Sequence, residues 1–292
     1  MLLSMTGFGD GRAENERLGV LAEIRCVNNR HLKVTIRSPE NCGGFDTEIE
    51  RIVRQGIVRG TVTVTIRTSS RGANQLGTLN TEVLTEYWKQ LHQWSKEMLA
   101  PIADASHLLA LPGVVAGNAL LEVSEEDWST FETALNAALT KVQSFRATEG
   151  KAMRDEMARH CDLIEECLGH IITRAPLVVI AYRDKIKQRV NDLLKDSGVT
   201  VSDVDFLREV NIFADRCDIT EEIARLKSHI DQFRHSLDAH PSAGRKLEFL
   251  CQEIFREINT IGSKANDVTI AHHAVDAKTS VEKIREIVQN VE

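Results

Sequence analysis

Polar and apolar residues change their period along this chain. Between Leu18 and Val27, Val20, Ala22, Ile24 and Cys26 alternate with Glu23 and Arg25 on the other side. Period two is the mark of a strand with one buried face. Leu32, Val34 and Ile36 repeat it, and TVTVTIRTS (Thr61–Ser69) is a β-branched run of the same kind. Between these runs, Phe45, Ile49, Ile52, Val53 and Ile57 follow a helical period that stops at Arg59-Gly60. The pattern predicts a small antiparallel sheet packed by one helix.

The rest of the chain reads as helix. Arg71 to Thr78 is a polar, glycine-bearing loop, and helical spacing starts at Glu82. Leu108 to Gly117 breaks it at Pro112-Gly113. Ser124, followed by Glu125, Glu126 and Asp127, has the form of an N-cap with an acidic first turn. Long helices are expected from there to about Leu194, interrupted near Ala175-Pro176 and closed by Ser197-Gly198. Ile219, Ile223, Leu226, Ile230, Phe233 and Leu237 then recur in steps of four and three, a seam like that of a coiled coil. A turn at Pro241 and Gly244 leads to a helix from Leu247, capped at Gly262, and a last helix spans Val268 to Val291. The fold class is therefore α+β: a small sheet with its helix, then a mostly helical body of long antiparallel helices.

Composition adds limits. The 292 residues are enough for one large domain or two ordinary ones. Apolar residues make up 42% and aromatics only 5%, which disfavours an all-β sandwich. The net charge is −7, yet the first 72 residues carry a basic excess. A local cationic patch is thus compatible with an acidic chain. Six cysteines occur with no CxxC pair and no Cys/His cluster of zinc spacing, so free thiols in a reducing cytosol are expected. The start, MLLSMTGFGDGRAE, lacks a basic stretch and a long apolar run, so no signal peptide and no membrane span is expected.

Two polar stripes run beside the apolar seams. On the helix from Leu247, Leu250, Cys251, Ile254, Ile258 and Ile261 share one face with Leu247. Glu253 and Glu257 are neighbours four apart, and Glu257 lies at the edge of that face. Arg256 lies on the far flank. On the preceding helix, Asp218, Glu222, Arg225 and His229 each stand one residue before a member of the seam. If the two helices pack antiparallel, the stripes face each other. Asp218, Glu222, His229, Glu253 and Glu257 then supply the oxygen and imidazole donors that Mg²⁺ or Mn²⁺ accepts. The other reading is a solvated face decorated with ordinary i,i+4 ion pairs. The turn IGSK (Ile261–Lys264) is not a P-loop: Ser263 splits glycine from lysine and a helix precedes it. No nucleotide cofactor is expected.

A second polar group gathers at Ile24–Leu32 (IRCVNNRHL), with Arg25, Asn28, Asn29, Arg30 and His31, and Arg54 and Arg59 follow. Asn-Asn suits a turn and arginine suits a helix C-terminus. Guanidinium forks and amides also grip phosphates and base edges. The few aromatics argue against an RRM-like stacking platform.

Several stretches, taken together, resemble the YicC/YloC family. They are SMTGFG (Ser4–Gly9), E-x-R-x-V-N-x-R-x-L (Glu23–Leu32), V-R-G-x-V (Val58–Val62) and R-x-x-E-G (Arg146–Gly150). D-I-T-E-E-I-x-R-L-x-x-H (Asp218–His229) and Q-E-x-x-R-E-x-N-T-I-G-S-K (Gln252–Lys264) complete the set, in order over nearly the whole chain. Cys251 departs from the Met or Leu expected there. The resemblance implies a cytoplasmic bacterial endoribonuclease in RNA turnover, dependent on Mg²⁺ or Mn²⁺ and assembled as a homohexamer. It implies an N-terminal module over 1–155 and a helical C-terminal module over 156–292, with its core at 205–292. The resemblance marks these polar positions without assigning their roles; by their chemistry Glu253, Glu257 and His229 are taken as catalytic and Asp218, Glu222, Glu253 and Glu257 as metal ligands. Arg25, Asn28, Arg30, Arg59, Arg225, Arg256 and Lys264 would hold RNA. A non-catalytic RNA-binding adaptor oligomer is the alternative.

Overall fold

The computed structural model describes residues 2–70, 79–99, 101, 104–115, 123–194, 203–238 and 244–292. The expected loop at 71–78, the Ser197-Gly198 stop and Pro241 lie outside the described residues. The chain divides into two compact units, Thr6–Phe145 and Met1–Met5 with Arg146–Glu292.

The unit Thr6–Phe145 is built on four strands: β1 (Gly7–Glu14), β2 (Leu18–Val27), β3 (Lys33–Arg37) and β4 (Thr61–Ser70), in the order β1-β2-β4-β3. The strand expectations at Leu18, Leu32 and Thr61 hold. Helix α1 (Asp46–Gly56) carries the chain from β3 to β4, so this one pair is parallel while the other two are antiparallel. Ile24, Val62 and Val64 bury on one face against Ile49 and Val53 of α1. Phe131, Leu135, Ala138 and Val142 complete this core. They open the long helix α3 (Trp128–Leu194). The Ser124 cap is present, and the Asp127 carboxylate accepts from the Ser124 backbone N–H and hydroxyl at 3.1 Å each. Helix α2 (Thr81–Met98) starts from Asn80, whose side chain accepts from the Val83 amide.

Strand β1 escapes the hydrophobic pattern because glycine writes it. Gly7, Gly9 and Gly11 alternate on the core face. A Cβ on Gly9 would stand 2.3 Å from the Ala138 carbonyl oxygen, and one on Gly11 1.9 Å from that of Ala134. The backbone of α3 lies directly on this strand, and only glycine admits that approach.

The second unit is helical. It holds α3 from Arg146 onward, α4 (Asp203–Arg216), α5 (Thr220–Asp238), α6 (Gly244–Lys264) and α7 (Val268–Val288). The expected interruption at Ala175-Pro176 is absent: α3 runs through Pro176. Proline removes one backbone donor, but Ile171 and Val178 on either side bury in the same core and hold the helix together. The seam of α5 buries Ile219, Leu226, Ile230, Phe233 and Leu237, with Ile223 packed at its edge. At about 1.5–3 kcal/mol for each such side chain, the seam fixes the rotation of α5 about its axis. It therefore fixes where the polar stripe points. Gly262 is helical, not a cap; a Cβ there would meet that of Ala274 on α7 at 3.2 Å. The left-handed turn after α6 is made by Asn266 instead, at φ 46°. Asp267 then caps α7, accepting from the Ile270 amide.

Both chain ends are tied into this unit. Ser4 pairs with Val291, and Leu3 and Glu292 exchange backbone hydrogen bonds. Buried Arg146 donates to the Ser4 carbonyl and to the Glu292 carboxylate, both at 2.6 Å. Gly150 is needed beneath them, since a Cβ would stand 2.3 Å from the Leu2 carbonyl oxygen. The stretches Ser4–Gly9 and Arg146–Gly150 thus have structural work.

Candidate functional site

Helices α5 and α6 pack antiparallel, as expected from the turn between them. Three cross-helix links establish the direction. His229 meets Glu253 and Glu257, Arg225 Nη1 lies 4.0 Å from Glu257 Oε1, and Lys264 Nζ donates to Glu222 Oε1 at 2.6 Å. Positions fall along α5 as they rise along α6.

At the His229 end, one ligand atom from each of His229, Glu253 and Glu257 lies within 4.8 Å of the other two. Glu257 is only 3% exposed, His229 is half-buried and Glu253 is a quarter exposed. The core faces of α5 and α6 force this arrangement, because Leu226 and Ile230 on one helix and Ile254 and Ile258 on the other must meet. A carboxylate so deep needs a positive partner or a proton. Arg225 is the nearest cation, at the outer limit of an ion pair with Glu257, and its other terminal nitrogen is held by Glu221. Arg256 lies 4.0 Å from Glu253 on the exposed rim.

Two further atoms of the stripe stand out. Glu222 Oε2 and His229 Nδ1 are buried and make no hydrogen bond to another described residue. Native proteins rarely bury such atoms without a partner, so each calls for a proton, an ion or a substrate group. The Lys264 ammonium is held above its usual range by its hydrogen bond to Glu222, against a smaller effect of burial. Asp218 stands apart from the trio. Its carboxylate accepts from the Thr220 amide and hydroxyl, which hold it below the usual carboxylate range. It lines a separate hollow of ≈530 Å³ together with Pro176, Cys217 and Lys227. Of the candidate ligands, then, the structure gathers Glu253 and Glu257 with His229, and leaves Glu222 paired with Lys264 and Asp218 capping α5.

The second candidate group sits at the far end of β2 and just past it. Arg25, Asn28 and Arg30 are exposed. The Arg25 guanidinium lies 5.3 Å from the centre of the Phe8 ring. Arg59 donates from Nε to the Asn29 carbonyl at 3.2 Å, and Asn29 donates to the Thr61 hydroxyl at 2.8 Å. Arg54 is taken by Glu50.

The models of two family regions match this chain: "Endoribonuclease YicC-like, N-terminal region" over residues 2–155 and "Endoribonuclease YicC-like, C-terminal" over residues 171–292. The chain belongs to the YicC-like endoribonuclease family. Two relatives agree over the full length of both chains. The probable endoribonuclease YicC of Clostridioides difficile (strain 630) is 34% identical, and that of Haemophilus influenzae (strain ATCC 51907 / DSM 11121 / KW20 / Rd) is 29% identical. The C-terminal match in this YicC-like chain contains α5, α6 and α7, and with them the whole His229, Glu253 and Glu257 group. The exposed arginines at the end of β2 fall in the N-terminal match. No described helix is long and apolar enough to cross a membrane.

One feature escaped the sequence reading. Lys264 was legible as a cation but not as the partner of Glu222, because the pairing spans 42 residues and depends on α6 continuing past Gly262. The i,i+4 rule sees along one helix and not across two.

Proposed function

We propose that this YicC-like chain is a divalent-metal-dependent endoribonuclease that cleaves RNA phosphodiester bonds at the His229, Glu253 and Glu257 group. The observation that carries the reading is their convergence: an imidazole and two carboxylates from two helices, one of the three nearly out of solvent. The donor set fits Mn²⁺ well, since oxygen ligands with one imidazole suit it, and Mg²⁺ less well. His229, Glu253 and Glu257 would hold the cation, which when bound supplies charge stabilisation to the phosphoryl oxygens.

The chain's own groups do the rest. Arg225 and Arg256, exposed beside Glu257 and Glu253, bind the non-bridging oxygens of the scissile phosphate. Glu253, nearer the solvent than Glu257, takes the proton of the attacking hydroxyl as its oxygen bonds to phosphorus; the P–O bond to the leaving ribose oxygen breaks, and that oxygen takes a proton from water. Glu222 and Lys264 neutralise each other about two turns further along and keep α6 in register with α5. The family resemblance further supports a homohexamer acting in cytoplasmic RNA turnover. Ile172, Leu177 and Ile180 of α3 and Val204, Leu207 and Ile212 of α4 are large apolar side chains left exposed in the single chain, as an assembly surface requires.

The test is cleavage of a labelled structured RNA with and without Mn²⁺. Cleavage that stops with EDTA and is lost in Glu257→Gln supports the site. Full activity of both Glu253→Gln and Glu257→Gln sinks it.

A further inference from the structure

The sheet of the first unit has two unlike faces. One carries the core under α1 and α3. The register places the other face row by row. Phe8, Arg25, Thr63 and Thr35 form one row, and Asp10, Glu23, Thr65 and Arg37 the next. Arg12, Leu21 and Arg67 form a third, and Lys33 with Thr61 closes the opposite end. Arg12, Arg25, Lys33, Arg37 and Arg67 are all exposed, and among the described residues none is ion-paired with a carboxylate. Of the three acids on this face, Asp10 is already bound by Lys141 at 3.1 Å, which holds its carboxyl below the usual range. Phe8 is 43% exposed, with Arg25 over its ring. A hollow of ≈520 Å³ opens at the Arg12 and Arg67 end, lined also by Leu21 and Ser69.

We infer that this open sheet face is a binding surface for single-stranded RNA, distinct from the helical site and serving the endonuclease reading on which it rests. The occupant follows from the chemistry. Unpaired guanidinium groups grip phosphates. A row of threonine hydroxyls between them offers hydrogen bonds to sugar and phosphate oxygens. The exposed Phe8 ring and the Arg25 guanidinium over it form one short stack on which a base can continue. A protein partner would call for an apolar centre, and here the centre is Thr63, Thr65 and Glu23. Arg12 and Arg67 sit on strands two apart, about 10 Å from each other at the usual ~4.8 Å strand spacing, so they hold different phosphates. The surface grips backbone broadly and stacks one base. It is therefore tolerant of sequence.

The test is fluorescence anisotropy of a labelled 20-nucleotide oligouridine with the full-length protein in EDTA, over a range of salt. Arg12→Gln/Arg67→Gln is expected to weaken binding about tenfold or more at low salt and to flatten the log–log salt slope by about 1.4, at ~0.7 per phosphate contact. Phe8→Ala is expected to weaken binding about tenfold with the slope unchanged. Arg12→Lys/Arg67→Lys should keep the slope. Lys185→Gln/Lys187→Gln, two equally exposed cations on α3, should change neither quantity. Wild-type binding that all these variants share overturns the sheet-face surface and leaves the helical site standing. An equal loss in the Lys185 and Lys187 variant also overturns it, because charge alone would then explain the effect. Wild-type protein that holds no oligouridine at any salt overturns this surface and leaves the endonuclease reading to the Mn²⁺ cleavage assay. Retained RNA binding with an altered elution volume in the Arg12 and Arg67 variant would assign the face to contact between copies.

Discussion

The α5/α6 stripe and the outer face of the sheet carry the same kinds of residue and use them in opposite ways. Along the stripe, charges are drawn inward: Glu222 and Glu257 are buried and each faces a cation from the other helix. On the sheet, cations stand in solvent with no ion pair to a carboxylate among the described residues, and hydroxyls fill the space between them. Burial strengthens an electrostatic interaction and raises the cost of leaving it unmet. Exposure keeps a cation available and cheap to hold. The first arrangement suits chemistry at one point, and the second suits a long polyanion.

Substitutions can break that contrast. The largest effect is expected from Glu257→Gln, which removes the buried charge that would hold the cation and keeps the shape; cleavage should fall by roughly 10²- to 10³-fold, read as the single-turnover rate. Arg12→Gln/Arg67→Gln should instead raise KM by about tenfold. Equal effects of the two on kcat would erase the distinction. On the core side of the same sheet, Gly11→Ala should destabilise the fold by about 3 kcal/mol in urea unfolding, because its Cβ meets the α3 backbone. On the outer side, Arg37→Gln should stay within about 0.5 kcal/mol.

Lys264→Met leaves Glu222 buried without its partner and should lower the urea midpoint by on the order of 0.5 M. Glu222→Leu/Lys264→Met should recover much of that loss, since an apolar pair of similar size replaces a buried ion pair well. The smallest effect concerns acid. Arg174, the main cause, and the Ile270 amide hold the Asp267 carboxyl below its usual range. A carboxyl depressed in the folded state adds stability above its unfolded value, and that stability is lost as pH falls through the folded value. Stability should thus decline below about pH 4, the ordinary Asp range. Asp267→Asn keeps a capping oxygen but loses the ion pair with Arg174, so it should be less stable at pH 7 by about 1 kcal/mol or less, with a shallower acid slope on thermal melting.

Much of this architecture was legible where side chains carry the pattern. The alternation at Leu18–Val27 and Thr61–Ser69 named two strands, and the four-three steps from Ile219 to Leu237 named the seam. Strand β1 was invisible because glycines supply its buried face. Pro176 misled because a local rule was overridden by core contacts on both sides of it. The candidate site was legible as two stripes, since an antiparallel pair was foreseeable from the short turn. Which members met was not, because register between helices is set by packing of Ile254 and Ile258 against Leu226 and Ile230, not by either sequence alone. Asp218 illustrates this. It keeps the stripe's spacing yet lies at the helix start, where its carboxylate finds Thr220 first. The outer sheet face was half legible: Arg25 was singled out, but Arg12 and Arg67 join it only through strand register.

The most direct measurement is the anomalous scattering of manganese in crystals of the protein soaked at a concentration that supports cleavage. The account predicts a peak within coordination distance of His229, Glu253 and Glu257, lost in Glu257→Gln crystals. Peaks only elsewhere, or none at that concentration, would contradict it and return these three residues to holding α5 and α6 together.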